Sequence, residues 1–195
     1  MTADRYQNFA DLISHEREGI DFRICRTIRP APVAIIAPHG GGIEPGTSDI
    51  AAAIAGDCYS LYCFEGLKRS GNRDLHIMST NFDEPTCLDL LSRCDVVVAV
   101  HGLRGENRFV DVGGSDFELR NTIRGRLSAR FDARVAETGR YAGSDPANIC
   151  NRGRGGAGVQ LEITRALRDT LIDSLDDMEA FADAVRQSID DALAS

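Results

Sequence analysis

The chain has 195 residues, 43% of them hydrophobic, and a formal net charge of −8 at neutral pH. That length fits one domain with a substantial core, and no apolar run approaches the roughly 20 residues that cross a bilayer. The acidic balance argues against general nucleic-acid binding, which needs a basic face, and the opening Met1-Thr2-Ala3-Asp4-Arg5 lacks the features of a secretory signal, so a soluble cytoplasmic protein with no membrane partner is expected.

Taken in chain order, Tyr6, Phe9, Leu12 and Ile13 fall at helical spacing and predict a helix over residues 2–16. Pro30 and Pro32 precede the apolar run 33–37, which reads as a buried strand. A short helix over 48–55 stops at Gly56. Strands are expected at 60–64 and 75–79. A helix over 85–94 opens on Pro85, a residue suited to a first turn. Another strand is expected at 96–100. The helix predicted over 116–131 carries Leu119, Ile123 and Leu127 on one side, with Arg120, Arg124 and Arg130 off that stripe. Residues 134–136 and 159–163 could be further strands. A last helix runs over 175–193, with Ser174 and Asp177 at capping-box-like spacing and a core stripe of Leu175, Met178, Phe181, Val185 and Ile189. Alternating strands and helices predict a single α/β domain over residues 1–195, built on an open, mostly parallel mixed sheet flanked by helices. Ligands of such sheets bind beyond the carboxyl ends of the strands.

Two of those strand ends carry histidine. The run 33–36 leads into Ala37-Pro38-His39-Gly40-Gly41-Gly42-Ile43-Glu44-Pro45-Gly46-Thr47, and the run 96–100 ends at His101. Imidazole and carboxylate are common zinc donors, and a catalytic zinc takes three protein ligands and a water. Either histidine alone reads more simply as a satisfied turn residue. Two at strand ends, one sharing a glycine-rich loop with a glutamate, favour a metal held by His39, Glu44 and His101.

Glu162 shares one strand face with Gln160, opposite Leu161 and Ile163. An acid on an apolar strand costs free energy unless paired or functional. It is either an exposed edge residue or a general base beside a metal-bound water. His76 reads as a core or outer-sphere residue and His15 as a surface one.

Residues 101–168 hold 12 Arg against 8 Asp or Glu, and residues 169–195 one Arg against 8 acids. The bland reading is a solvated helix face with an acidic tail; the sharper one is an arginine-lined groove for an anionic substrate. The six cysteines form no C-x-x-C pair and read mostly as inert core thiols. His39-Gly40-Gly41-Gly42 could form an esterase oxyanion hole, but no G-x-S-x-G elbow accompanies it. Gly153-Arg154-Gly155-Gly156-Ala157-Gly158 lacks the strand-to-helix context of a dinucleotide fingerprint.

Together the segments Tyr6-Gln7-Asn8-Phe9, His39 to Thr47, Phe64-Glu65-Gly66, Ser70-Gly71-Asn72, Leu75-His76-Ile77, Phe82-Asp83-Glu84-Pro85, Val100-His101-Gly102, Asn148 to Arg152 and Gly158 to Glu162 resemble the phage-type poly-γ-glutamate hydrolase family, also described as phage-related replication proteins. The resemblance implies a zinc carboxypeptidase-like α/β fold and one zinc ion per chain on His39, Glu44 and His101. It further implies cleavage of γ-glutamyl amide bonds with Glu162 as general base, on an anionic γ-glutamyl polymer or peptide. Arg73, His76, Asn151 and Arg152 are the candidates for substrate binding. Release by host lysis would need no signal if the chain is phage-derived. Two departures stand out: four residues separate His39 from Glu44 where zinc carboxypeptidases have two, and Asn81 stands where a histidine is expected. The rival readings are a non-catalytic γ-glutamyl-binding protein and a replication-associated nucleic-acid-binding protein.

Overall fold

A computed structural model describes residues 4–139 and 141–194. The elements are α1 (Phe9–Ile13), β1 (Phe22–Thr27), β2 (Val33–Gly41), α2 (Thr47–Ala55), β3 (Ser60–Gly66), α3 (Pro85–Leu91), β4 (Val96–Leu103), β5 (Val110–Gly114), α4 (Phe117–Leu127), β6 (Ala133–Val135), β7 (Val159–Thr164), α5 (Arg165–Asp173) and α6 (Leu175–Ala194). Short 3₁₀ turns occupy Asn72–Leu75 and Ile149–Asn151. The sheet runs β1-β3-β2-β4-β7-β5-β6. Its middle strands β3, β2, β4 and β7 are parallel, while β1 and β5 run antiparallel to β3 and β7. The expected single α/β domain on a mostly parallel mixed sheet is observed.

Parallel strands covered on both faces are apolar throughout, and β2, β4 and β7 are buried along almost their whole length. Val33, Ile35, Val98, Val100, Leu161 and Ile163 pack with α2, α4 and α6 on one face. Ala34, Ile36, Val97 and Ala99 pack on the other with Tyr62, Phe64, Phe82 and the residues around α1 and α3. The terminal helix is seated as its cap predicts: the Ser174 hydroxyl accepts from the Asp177 N–H at 3.2 Å, and Phe181, Val185 and Ile189 are buried. Leu175 is 74% exposed, so the core stripe starts a turn later than expected. Among the described residues, no helix is long and apolar enough to cross a membrane.

Several expectations need correction. The helix drawn over 2–16 is one of five residues, because Asn8 caps it by accepting from the Asp11 N–H; its expected start at Thr2 and Ala3 lies outside the described residues. The strand drawn at 75–79 is a 3₁₀ turn followed by an extended loop. That loop spends its carbonyls elsewhere: Ile77 O faces His39, and Ser79 O accepts from the Ile149 N–H. Strands β1 and β5 and helix α5 went unread. Part of the basic midsection follows the blander reading. Arg126 pairs with Asp191, and Arg130 with Asp176 and Asp177, so these two are neutralised by α6 rather than lining a groove.

Candidate metal centre

His39 lies near the end of β2, where alternation from Ile35 and Ala37 would aim it at the α2 face. The pairing of β2 with β3 slips between Ala37 and Gly40, at the one residue, Pro38, that has no N–H to give a ladder. A bulge re-aims the side chains beyond it. His39 accordingly faces His76, Phe82 and His101, on the opposite side of the sheet from Ala37. His101 and Glu162 are register partners on the parallel strands β4 and β7, so both project from that same side. Glu44 arrives from the loop after β2, whose turn is closed by Glu44 N–H to His39 O at 2.9 Å. The turn continues through Gly46, at φ 93°, a conformation suited to glycine.

His39 Nδ1 lies 3.1 Å from His101 Nδ1 and 3.6 Å from Glu44 Oε2. Donors on a tetrahedral zinc, with bonds of about 2.0–2.1 Å, lie about 3.3 Å apart. All three residues are buried, and one donor from each falls within 4.8 Å of the others. The second nitrogen of His39 faces Ile77 O at 2.7 Å, which fixes the proton there and turns the Nδ1 lone pair toward His101. His101 Nε2 is buried with no hydrogen-bond partner among the described residues. A proton on His101 Nδ1 satisfies His39 but leaves the Nε2 lone pair unmet. With both rings neutral, a proton on Nε2 sets two Nδ1 lone pairs against each other at 3.1 Å. A cation bonded to both Nδ1 atoms removes that conflict, and the donor set suits it.

The local field favours the metal-binding forms of Glu44 and His101, while at His39 a proton competes with the cation. Burial works to raise the Glu44 pKa, but the neighbouring His39, the His101 ring and the Gly102 N–H at 2.7 Å hold it down at about 2. Burial and the charge on His39 push His101 down to about 3. The charge on His39 also lowers His76, to about 4, against the pull of Asp4 at 2.9 Å. Burial lowers His39, yet Glu44 overrides it and raises the pKa. An ionised carboxylate and a neutral imidazole are the forms that ligate.

Arg168, from α5 and 4% exposed, ties the site together. It donates from Nε to Pro45 O at 2.8 Å and from Nη1 to Leu103 O at 3.2 Å and Ile163 O at 2.5 Å. Those carbonyls lie next to Glu44, two residues past His101 and next to Glu162. Gly102 permits this closeness, because a Cβ there would collide with the Arg168 guanidinium and the Glu44 Cβ. The three site residues open into a cavity of about 740 Å³, together with Glu162, Arg73 and His76.

A model of the poly-γ-glutamate hydrolase family matches residues 6–187. The chain belongs to that family. The SPβ prophage-derived protein YoqZ of Bacillus subtilis is 42% identical over 170 residues, which are 86% of this chain and 61% of YoqZ, so the chain spans less than two thirds of that relative. A bacteriophage poly-γ-glutamate hydrolase superposes with a TM-score of 0.93 at 33% identity, over 98% of this chain and 99% of that one. A zinc-free apo form of YndL superposes with a TM-score of 0.91, also at 33% identity, over 97% and 99% of the two chains.

Of the residues singled out from the sequence, His39, Glu44, His101, Glu162, Arg73 and His76 share the cavity. His76 stacks on His39 with ring centroids 4.0 Å apart. Asn151 does not reach the cavity and is corrected to a loop anchor. It is buried, accepts from Ser115 and the Gly158 N–H, and donates to Gly143 O and Asp145 O. Its amide is saturated, so nothing remains for a substrate. Arg152 is exposed and lines a separate depression with Asn81 and Thr80 rather than the cavity itself. Sequence reasoning missed Arg104, Tyr141 and Asp145 as cavity-lining residues. The place of Arg104, three residues past His101, was the available signal. The sequence places Gln160 only on one face with Glu162; in the structure it spans Asn148, Tyr141 O and Glu162 Oε1 at 2.9, 2.8 and 3.3 Å.

Proposed function

We propose that this chain is a zinc-dependent hydrolase of γ-glutamyl amide bonds, acting on poly-γ-glutamate or related γ-glutamyl peptides. The observation that carries the reading is the convergence of His39, Glu44 and His101 beside Glu162 in one cavity of a poly-γ-glutamate hydrolase family member. The relative solved in a zinc-free form supports zinc as the ion. A zinc ion on these donors supplies Lewis acidity, lowering the pKa of a water toward neutrality and polarising the scissile carbonyl.

The remaining work falls to side chains. Glu162, with Gln160 Nε2 3.3 Å from its carboxylate, takes the proton from the attacking water and delivers it to the leaving amine. Arg73 receives a free α-carboxylate of the substrate. His76, held by Asp4, covers the His39 ring, fixes its orientation and borders the bound chain. Hydrolysis needs both the ligand triad and the base, so two measurements on one purified protein test the reading: zinc content, and release of amines from poly-γ-glutamate. Stoichiometric zinc with no hydrolysis would favour the γ-glutamyl-binding alternative, and binding to DNA in place of the polymer would favour the nucleic-acid one.

A further inference from the structure

Arginines over most of the surface are held by neighbouring acids: Arg126 by Asp191, Arg130 by Asp176 and Asp177, Arg154 by Asp95 and Arg165 by Asp169. Arg73, Arg104 and Arg152 differ. Each is exposed, each lines a concavity, and none has an acidic partner among the described residues. Arg73 and Arg104 line the cavity, from the segments that follow β3 and β4, the strands flanking β2 and its His39 in the sheet. Arg152 lines the depression of about 380 Å³, and Thr80 borders both concavities. The bond from the Ile149 N–H to Ser79 O, at 2.9 Å, pins the turn carrying Arg152 against the loop carrying Thr80.

The acids along this path are already engaged. Asp4 faces His76 at 2.9 Å, Asp145 Oδ1 accepts from the Ala147 N–H at 2.8 Å, and Asp83 Oδ1 accepts from the Phe9 N–H at 2.7 Å. These bonds tie each carboxylate to a partner other than the three guanidinium groups, which are exposed and donate no side-chain hydrogen bond among the described residues. A guanidinium fork matches a carboxylate in two bonds, and a γ-linked glutamate chain presents one free carboxylate per residue.

We propose that the cavity and the adjoining depression form one track for a polyanion, in which Arg104 and Arg152 are carboxylate subsites beyond the one at Arg73. The proposal rests on the γ-glutamyl reading above and adds to it where the chain lies away from the reacting bond. Its ligand is a segment several residues long, engaged at separate points, so affinity grows with the number of subsites filled.

The test uses the full chain with zinc and poly-γ-glutamate. KM is measured for wild type, Arg104→Gln, Arg152→Gln and a control, Arg17→Gln, whose exposed arginine lines neither concavity. Polymer binding is measured by fluorescence anisotropy on the same proteins in a Glu162→Gln background. Each track variant should raise KM and Kd by about 1.5- to 5-fold, the range of an exposed guanidinium–carboxylate pair. The double variant should multiply the two effects, because the sites are separate. Arg17→Gln should match wild type. The track is overturned if the two variants behave like wild type, or if Arg17→Gln weakens binding as much as they do. A wild-type protein that cleaves and binds while the variants are unaffected refutes the track alone. A wild type that neither cleaves nor binds the polymer refutes the functional reading and the track with it.

Discussion

Replacing Arg168 with methionine isolates the staple that holds the site-bearing segments together. Methionine keeps much of the apolar stem but leaves the carbonyls of Pro45, Leu103 and Ile163 without their donors. An orphaned buried acceptor costs about 1–3 kcal/mol, and three would approach 6 kcal/mol at a middle value. Part of that is recovered because a buried cation need no longer be desolvated. A net loss of about 3 kcal/mol follows. For a chain of this size that lowers the unfolding midpoint of the metal-free protein by about 6–12 °C. The second effect is on the metal. Glu44 follows the staple through Pro45, and outer-sphere partners of a metal site are typically worth about 10- to 100-fold in affinity. Zinc affinity measured by chelator competition, at a temperature where both proteins are folded, should fall in that range. Lysine at the same place should recover only part of either loss, since one ammonium cannot span three carbonyls in a fixed fork. An unchanged midpoint would refute the staple. A lowered midpoint with wild-type zinc affinity would refute its role in placing Glu44.

Glu162→Gln should keep stoichiometric zinc, because Glu162 is outside the ligand triad, and lose kcat on poly-γ-glutamate by about 10²- to 10⁴-fold; full activity would remove it as the base. Gly102→Ala should weaken zinc binding by pushing its Cβ into Arg168 and Glu44, and wild-type affinity would show that both can give way. Glu16 accepts from Tyr6 and Lys68 at 2.6 Å each. Burial alone would raise its pKa, but those two bonds prevail and hold it below its ordinary 4.5. The folded chain thus binds this proton less tightly than the unfolded one. Its contribution is complete above the unfolded value and is lost as pH falls through the folded value. Glu16→Gln should be less stable at pH 7 by about 1–2 kcal/mol and should lose less than wild type on acidification below 4.5; thermal midpoints that fall in parallel would contradict this.

The buried middle of the sheet was legible because its strands are apolar runs bounded by proline and glycine, as at 33–37 and 96–100. The outer strands were not. In β1, Phe22 is buried but the later residues are half-buried or exposed, so neither alternation nor a continuous run marks it. The convergence of His39, Glu44 and His101 was legible for a chemical reason: the two histidines end buried strands, and Glu44 shares a short glycine loop with one of them. What a period-two reading could not supply is the face. His39 falls in phase with Ala37, and only the slip at Pro38 turns it toward His101. Charge counting could not sort the arginines for a related reason. Arg126 and Arg130 are far from the acidic tail in sequence but pair with it in space, whereas Arg104 and Arg152 line concavities. Asn151 was misplaced because a polar side chain beside an arginine looks the same in sequence whether it anchors a loop or faces a ligand. Its buried bonds to Gly143 and Gly158 decide that.

The proposed activity requires one cation shared by His39, Glu44 and His101. The direct test is anomalous diffraction at the zinc edge from crystals of the wild-type chain and of His39→Ala grown with zinc. A single strong peak among the three side chains in wild type, absent from the variant, is the predicted result. A wild-type map with no peak there, or a peak that survives loss of the His39 imidazole, would contradict it.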